Sequence, residues 1–192
     1  MSYRADRFTV VLDTNVLVGA LIRDMVLSLA GAGFFRPRWS LATMNEFERV
    51  LTDLRPDISE IGARQRANIE RAYPEGTIPA DQALIDTLTL PDPKDRHVLA
   101  AAIRIRAAVI VTDNLKDFPP ECLSQHEVEA ISADSFIADA IDLGGPEAVA
   151  ALRIMRERFR KPEMDAEALI LRIEQIGLTQ TATMLQPYKS LL

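Results

Sequence analysis

Four aspartates and one of two helix glutamates carry most of the chemistry this sequence could perform. Asp13 follows Phe8–Leu12 (FTVVL), a short, β-branched and continuously apolar run; Asp113 follows a second such run, AAVIV at 107–111. Runs of this kind suit strands buried on both faces. In open α/β sheets, ligands sit beyond the carboxyl ends of the strands. Two carboxylates at one such edge repel each other unless a proton or a cation lies between them. Either residue alone is explained as well by a turn or cap; the paired placement is what favours a site. Asp95 lies in Asp92-Pro93-Lys94-Asp95, an ordinary capping arrangement with an acid in the first turn. Yet Asp95, Val98, Leu99, Ala102 and Ile103 recur at i, i+3, i+4, i+7 and i+8, so the carboxylate shares the face that packs on the sheet. A carboxylate on that side needs a partner, and a cation fits. Glu46 and Glu48 flank Phe47 on a stripe continued by Val50, Leu51 and Leu54; periodicity does not choose between them. Asp117 follows Asp113 in the loop Asp-Asn-Leu-Lys-Asp-Phe.

Hard carboxylate oxygens, without a histidine or cysteine cluster, point to Mg²⁺ or Mn²⁺. The lone Cys122 excludes an intramolecular disulfide and a thiolate cage, and with only His97 and His126 beside it a structural zinc site is not expected. A carboxylate-held divalent cation activates water, neutralises phosphate oxygens and stabilises in-line displacement, so the expected reaction is phosphodiester hydrolysis. The attacking oxygen comes from water, which leaves Cys122 as filler. His97, two residues after Asp95, is expected to point elsewhere on the helix and to be structural or surface. Arg36, Arg38, Arg96 and Lys116 are candidate phosphate contacts near the acidic edge, although a solvated side chain is an equally ordinary reading of each.

The elements that must position these residues alternate. After the first strand the pattern predicts a helix over Val16–Ala32, a short strand within Arg36–Trp39, a helix over Leu41–Leu54 capped by Ser40 and ended by Pro56, and a helix from Ser59 to Tyr73. A turn-rich break at Pro74–Pro79 and an ambiguous, strand-like Ile85–Leu90 precede a helix that opens at Asp92-Pro93 and runs to Arg106. The second buried strand, a loop over Thr112–Pro120 and a weaker strand at Glu127–Ile131 follow. From Ser132 the pattern is helical throughout, with breaks at Gly144-Gly145-Pro146, Pro162 and Gly177, and a cap at Asp165. In that tail Arg153, Arg156, Arg158, Arg160 and Lys161 form a basic run opposite Leu152, Met155 and Phe159, more simply a solvated face than an RNA contact. Alternating strands and helices imply a parallel sheet with helices on both faces.

Composition bounds the rest. The 192 residues carry 22 basic and 28 acidic side chains, a net charge of −6, with 48% hydrophobic residues. This is the profile of an ordinary globular domain. The acid excess counts against a chain whose whole surface grips nucleic acid, but not against a local basic patch. Met1–Arg7 is polar with no signal core, and no apolar run approaches the ~18 residues of a membrane helix, so a cytoplasmic protein without membrane association is expected.

The stretch Val-Val-Leu-Asp13-Thr14-Asn15-Val16-Leu17-Val18 resembles the opening of PIN-domain nucleases. Met44-Asn45-Glu46-Phe47 resembles the second acidic motif of that family and selects Glu46 over Glu48. Asp92-Pro93-Lys94-Asp95-Arg96-His97-Val98-Leu99-Ala100-Ala101-Ala102 resembles the third motif, and Val111-Thr112-Asp113-Asn114-Leu115-Lys116-Asp117-Phe118 the fourth. The order is that of the family, and the whole chain looks like a branch of the VapC toxins of type II toxin–antitoxin systems. The resemblance implies a PIN-like three-layer α/β/α fold with a mostly parallel central sheet over residues 1–131, plus a C-terminal helical extension over 132–192. It implies a Mg²⁺- or Mn²⁺-dependent endoribonuclease acting on RNA, a cognate antitoxin as partner, and a homodimer. It carries catalysis and metal binding onto Asp13, Glu46, Asp95 and Asp117, with Asp113, where the family often has another residue, as a further ligand. Thr14, Asn15 and Asn114 would orient those carboxylates. A housekeeping PIN nuclease in RNA processing, or a PIN module that binds RNA or protein without cutting, would share these motifs. A phosphohydrolase using Asp13 as nucleophile would want a second aspartate where Asn15 stands.

Overall fold

The computed structural model describes residues 8–160 and 163–192; the expectations for Met1–Arg7, Lys161 and the break at Pro162 lie outside the described residues. The chain forms two compact units, one comprising the residues up to Gly19 together with Arg36–Ile131, the other Ala20–Phe35 together with Ser132–Leu192. Ala20–Phe35, which precedes the boundary expected at residue 131, is grouped with the C-terminal helices.

The first unit is built on five parallel strands, β1 (Thr9–Leu12), β2 (Arg36–Ser40), β3 (Thr77–Ile78), β4 (Val109–Val111) and β5 (Glu129–Ile131), in the order β3-β2-β1-β4-β5. The sheet expected to be mostly parallel is wholly so. Chain order reverses between β1 and β4, the switch point at which such sheets open a crevice at their carboxyl edge. In the β1–β4 register Leu12 lies beside Val111, so Asp13 and Thr112 leave the sheet side by side, and the Asp13 N–H donates to the Val111 carbonyl at 3.0 Å.

Around the sheet run α1 (Thr14–Val18), α3 (Leu41–Leu54), α4 (Ile61–Ala72), α5 (Gln82–Thr87), α6 (Arg96–Ile105) and α7 (Pro120–Leu123); the intervening α2 (Ala20–Gly31) belongs to the second unit. The helix expected over Val16–Ala32 is therefore two helices, interrupted at Gly19, whose extended backbone (ψ 106°) ends α1. The cap expected for α3 is present: the Ser40 hydroxyl accepts the Thr43 N–H at 2.9 Å. The α6 stripe packs as its periodicity requires, with Val98, Leu99 and Ala102 fully buried alongside Val11 and Ile110. Its alanines let the helix lie close to the strands. A 3-10 turn, Pro93–Asp95, precedes it, with Asp92 accepting the Lys94 N–H.

Two elements depart from expectation. Ile85–Leu90 supplies part of α5 rather than a strand, with Asp81 capping that helix by accepting the Leu84 N–H at 3.1 Å. The break at Pro74–Pro79 contains β3, which is held by tertiary contacts. The Trp39 indole N–H donates to the Thr77 hydroxyl at 2.9 Å, its backbone N–H donates to the Gly76 carbonyl at 3.0 Å, and its ring meets Tyr73 edge to face. A Cβ at Gly76 would stand 2.3 Å from the Trp39 ring.

The second unit joins α2 to α8 (Ala133–Gly144), α9 (Pro146–Arg156), α10 (Ala166–Gln175) and α11 (Thr179–Leu185). Buried Met25, Val26 and Leu29 on α2 face α8 and α9, and Phe35 meets Phe136 edge to face at 4.8 Å. The buried Asp134 carboxylate accepts the Gln180 and Thr181 N–H groups, at 2.9 and 2.8 Å, and so caps α11 from another helix. Within the basic run, Arg156 is committed to structure: it donates to the Leu192 and Met164 carbonyls. Leu152 and Met155 are buried as expected. Among the described residues no helix is long and apolar enough to cross a membrane.

Because Gly76 abuts the largest side chain of the first unit, Gly76→Ala should overpack it and cost about 1–3 kcal/mol. Urea unfolding followed by fluorescence of the single tryptophan, Trp39, measures that loss; an unchanged midpoint would show that the ring gives way freely.

Candidate active site

Asp13 is 6% exposed, and its carboxylate is held from several sides. Oδ1 accepts the Thr14 N–H at 2.7 Å; Oδ2 accepts the Thr112 hydroxyl at 2.8 Å and the Asn15 amide at 2.7 Å. The Thr112 oxygen is itself a hub. It donates to Asp13 and accepts from the Asn15 amide at 3.0 Å and the Asn114 N–H at 3.1 Å, which uses its full capacity. Asn15 completes the crosslink with its carbonyl, which accepts the Asp113 N–H at 3.1 Å. The switch-point register makes all of this local.

The other acids arrive from separate elements. Glu46, on α3, accepts the Thr14 hydroxyl at 2.7 Å. Glu48 turns instead to α4, where it pairs with Arg66 at 3.1 Å, so the structure brings Glu46 and not Glu48 to the edge. Asp117 closes a 3-10 turn, Leu115–Asp117, and accepts from the Asn114 amide. Asp95 ends the turn before α6, half-buried. Its carboxylate has no hydrogen bond or ion pair among the described residues, and its pKa is pushed up from 3.8 to about 6, by burial first and then by the charges of Asp13, Asp92, Asp117 and Glu46. The Asp13 carboxyl is also raised: burial outweighs the Thr112 and Thr14 hydrogen bonds and the nearby His97, and Glu46 adds to the rise.

Asp113 stands apart. It is exposed, and its side chain makes none of the hydrogen bonds that hold Asp13. The basic candidates also separate. Arg36 begins β2, beside Thr9, at the opposite edge of the sheet from Asp13. Arg38 is turned to the Pro37 carbonyl and to Glu75 at 3.3 Å. Arg96 follows Asp95 directly, and its buried Nε has no hydrogen-bond partner. Lys116 is exposed beside Asp117 and makes no ion pair among the described residues.

Two participants escaped the reading of the sequence. Thr112 is the first residue past β4, and its hydroxyl becomes conspicuous only when β4 is set beside β1. His97 does not turn away: its Nδ1 lies 2.8 Å from the Ser40 hydroxyl, and the ring feels the charges of Asp13 and Glu46, although burial lowers its pKa. Its relation to Ser40 across the sheet edge is invisible to helical spacing.

The donor set suits a hard divalent cation in kind: carboxylate oxygens whose charges raise the pKa of Asp13 and of Asp95, with no basic side chain paired to Asp13, Asp95 or Asp117 among the described residues. Arg49 reaches Glu46 at 3.7 Å from the exposed side. Among the described residues no group of three or more acidic, histidine or cysteine side chains is gathered closely enough to cage an ion. Like charges hold such groups apart, and Thr14, Thr112 and Asn114 anchor the acids individually.

A carboxyl whose pKa rises on folding stabilises the fold below its unfolded value and loses that stabilisation as pH climbs through the folded value, here between 3.8 and about 6. In EDTA at about pH 7.5, Asp95→Asn should therefore raise the melting temperature and flatten its rise on acidification. Mn²⁺ should raise the melting temperature of the parent chain but not of the variant. A variant that melts lower in EDTA would mean that Asp95 is not under repulsion. Thr112→Val should weaken Mn²⁺ binding about 10–100-fold, measured by calorimetry, through loss of the donor that holds Asp13.

Comparison with known proteins gives two family matches: the PIN domain over residues 9–116, and the VapC50 C-terminal domain over residues 133–187. A curated protein of Mycobacterium tuberculosis (strain ATCC 25618 / H37Rv), described as "Putative ribonuclease VapC50", is 42% identical over 77 residues, which is 40% of this chain and 46% of that protein. The match thus spans less than half of the relative's length. No solved structure matches.

Proposed function

Since the chain belongs to the PIN-domain family, we propose that it is a divalent-metal-dependent endoribonuclease, and that it serves as the toxin of a type II toxin–antitoxin pair in the cytoplasm. The observation that carries this reading is the state of Asp95: an unpartnered carboxyl raised to about 6 by burial and by Asp13, Asp117 and Glu46, acids from separate elements at one sheet edge. Proteins rarely concentrate negative charge in this way without a cation to receive it. The VapC50 C-terminal domain and the ribonuclease named in the mycobacterial relative support the toxin branch and RNA as substrate.

Asp13, Glu46, Asp95 and Asp117 would hold Mg²⁺ or Mn²⁺. A cation bound there supplies charge neutralisation at the phosphate and a water of lowered pKa. The chain's own groups do the positioning. Thr112 and Asn15 fix both the place and the orientation of the Asp13 carboxylate, Thr14 steadies Glu46, and Asn114 steadies Asp117. Arg96, with an orphaned Nε, and the exposed Lys116 are the basic side chains placed to take phosphate charge beside the acids. The position of Arg36 and the commitment of Arg38 to Glu75 speak against that role for them. A cognate antitoxin would inhibit the enzyme, and homodimerisation remains an expectation from the family.

Purified chain should cleave single-stranded RNA with Mn²⁺ or Mg²⁺ and stop in EDTA, while Asp13→Asn and Asp95→Asn fall to the EDTA background. Equal cleavage by either variant removes the assigned site. Expression should arrest growth, and the product of the adjacent gene should relieve the arrest. Cleavage without arrest and without a neutralising partner would mark a housekeeping nuclease, and binding without cleavage a non-cutting module.

A further inference from the structure

The geometry points to a base-reading pocket beside the acidic cluster: we propose that a cavity between the end of β2, the loop after β3 and α6 takes the nucleobase of the nucleotide next to the scissile phosphate of single-stranded RNA. This rests on the ribonuclease reading above and says where that enzyme's sequence preference arises. The cavity holds about 250 Å³ and lies wholly within the first unit. Sites for drug-sized ligands run to about 300–1,000 Å³, so this one suits a single base rather than a dinucleotide. Pro79, Ile85, Pro93, Ala100 and Ala101 give it largely apolar walls of the kind a planar base fills.

Polar groups stand at the rim in an arrangement that suits a nucleotide. Asp81 and Arg104 neutralise each other at 3.7 Å, and Asp81 is further committed to capping α5, so neither offers a free charge. Lys94 has no ion pair among the described residues, and it lines the cavity while immediately preceding Asp95. A base in the cavity would thus have a cation at its mouth for the phosphate that leads to the acids. His97 lines the same cavity. The Ser40 hydroxyl engages its Nδ1 and fixes the ring, while Nε2 has no hydrogen bond among the described residues. An imidazole held in this way offers a directional partner to a base edge. His97 and Lys94 flank Asp95 in the chain, so the cavity they line adjoins the turn that carries this acid. Enzymes and binding modules that recognise single-stranded RNA read unstacked bases by stacking them on aromatic rings, histidine among them, and hydrogen-bonding their edges.

Two readouts test this separately from the ribonuclease reading. The first titrates the full chain in EDTA with each of the four nucleoside 5′-monophosphates, followed by calorimetry or NMR. One base is expected to bind at least about 10-fold tighter than the poorest, a difference of about 1.4 kcal/mol. Ala101→Leu, and independently Ala42→Leu at the start of α3, which also lines the cavity, should abolish that binding by filling the cavity, while Mn²⁺ still raises their melting temperatures. Lys94→Ala should weaken all four monophosphates alike. The second readout maps cleavage of a degenerate RNA oligonucleotide in Mn²⁺. The parent chain should prefer one base beside the cut, and both filled variants should lose that preference. Equal or absent binding of the four monophosphates, or a preference that survives both filled variants, overturns the pocket even if RNA is cut. Selective nucleotide binding without RNA cleavage leaves the pocket standing and overturns the ribonuclease reading.

Discussion

A carboxylate can be buried at the end of a strand only where other groups repay its lost hydration, and the first unit is organised around that demand at Asp13. Its partners come from chain neighbours, Thr14 and Asn15, and from Thr112, which is distant in sequence but adjacent in register. The hydrogen bond from Thr112 exists because β1 and β4 are parallel neighbours paired Leu12 to Val111. A slip of one residue would turn Asp13 to the other face and leave the Thr112 hub without its acceptor. The same hub ties down the Asn114 backbone, and Asn114 in turn holds Asp117. Strand pairing, turn geometry and the placement of two acids are therefore one interaction seen at different distances.

The overall charge of −6 argued against a nucleic-acid partner, and the placement of the ion pairs alters that argument. Many basic side chains are already spent: Arg66 on Glu48 and Glu70, Arg38 on Glu75, Arg55 on Asp57, Arg104 on Asp81. Such surface pairs add little to stability, yet they flatten the field away from the sheet edge. What stands out locally is the acid at that edge together with Arg96, Lys94 and Lys116, close to it in sequence and without an ion pair among the described residues. The net count averages over these two situations and describes neither.

The sequence was most readable where local chemistry and tertiary demand agree. FTVVL and AAVIV could be little other than buried strands, Ser40 and Asp92 announce their caps, and the α6 stripe buries as spaced. The acidic residues were legible for the same reason, since strand ends and the turn before α6 carry their own signals. The failures are places where a distant contact decides. β3 has two residues and exists through Trp39, Gly76 and Thr77. A short apolar run at Ile85–Leu90 is compatible with helix or strand, and the Asp81 cap settles it. Thr112 and His97 gain their roles from partners distant in sequence, and the cavity that His97 lines has no periodic signature.

The interleaving of the two units bears on how the chain is made. The apolar face of α2 finds its partners in α8 and α9, yet α2 leaves the ribosome far earlier. At the ~5–20 residues per second usual for synthesis, the roughly 100 residues between Gly31 and Ala133 take on the order of 5–20 s to appear. During that interval Met25, Val26 and Leu29 have no native surface to cover them. Completion of the second unit thus waits for the last helices to emerge, and a chain cut short before α8 would keep a helix whose natural companions were never made.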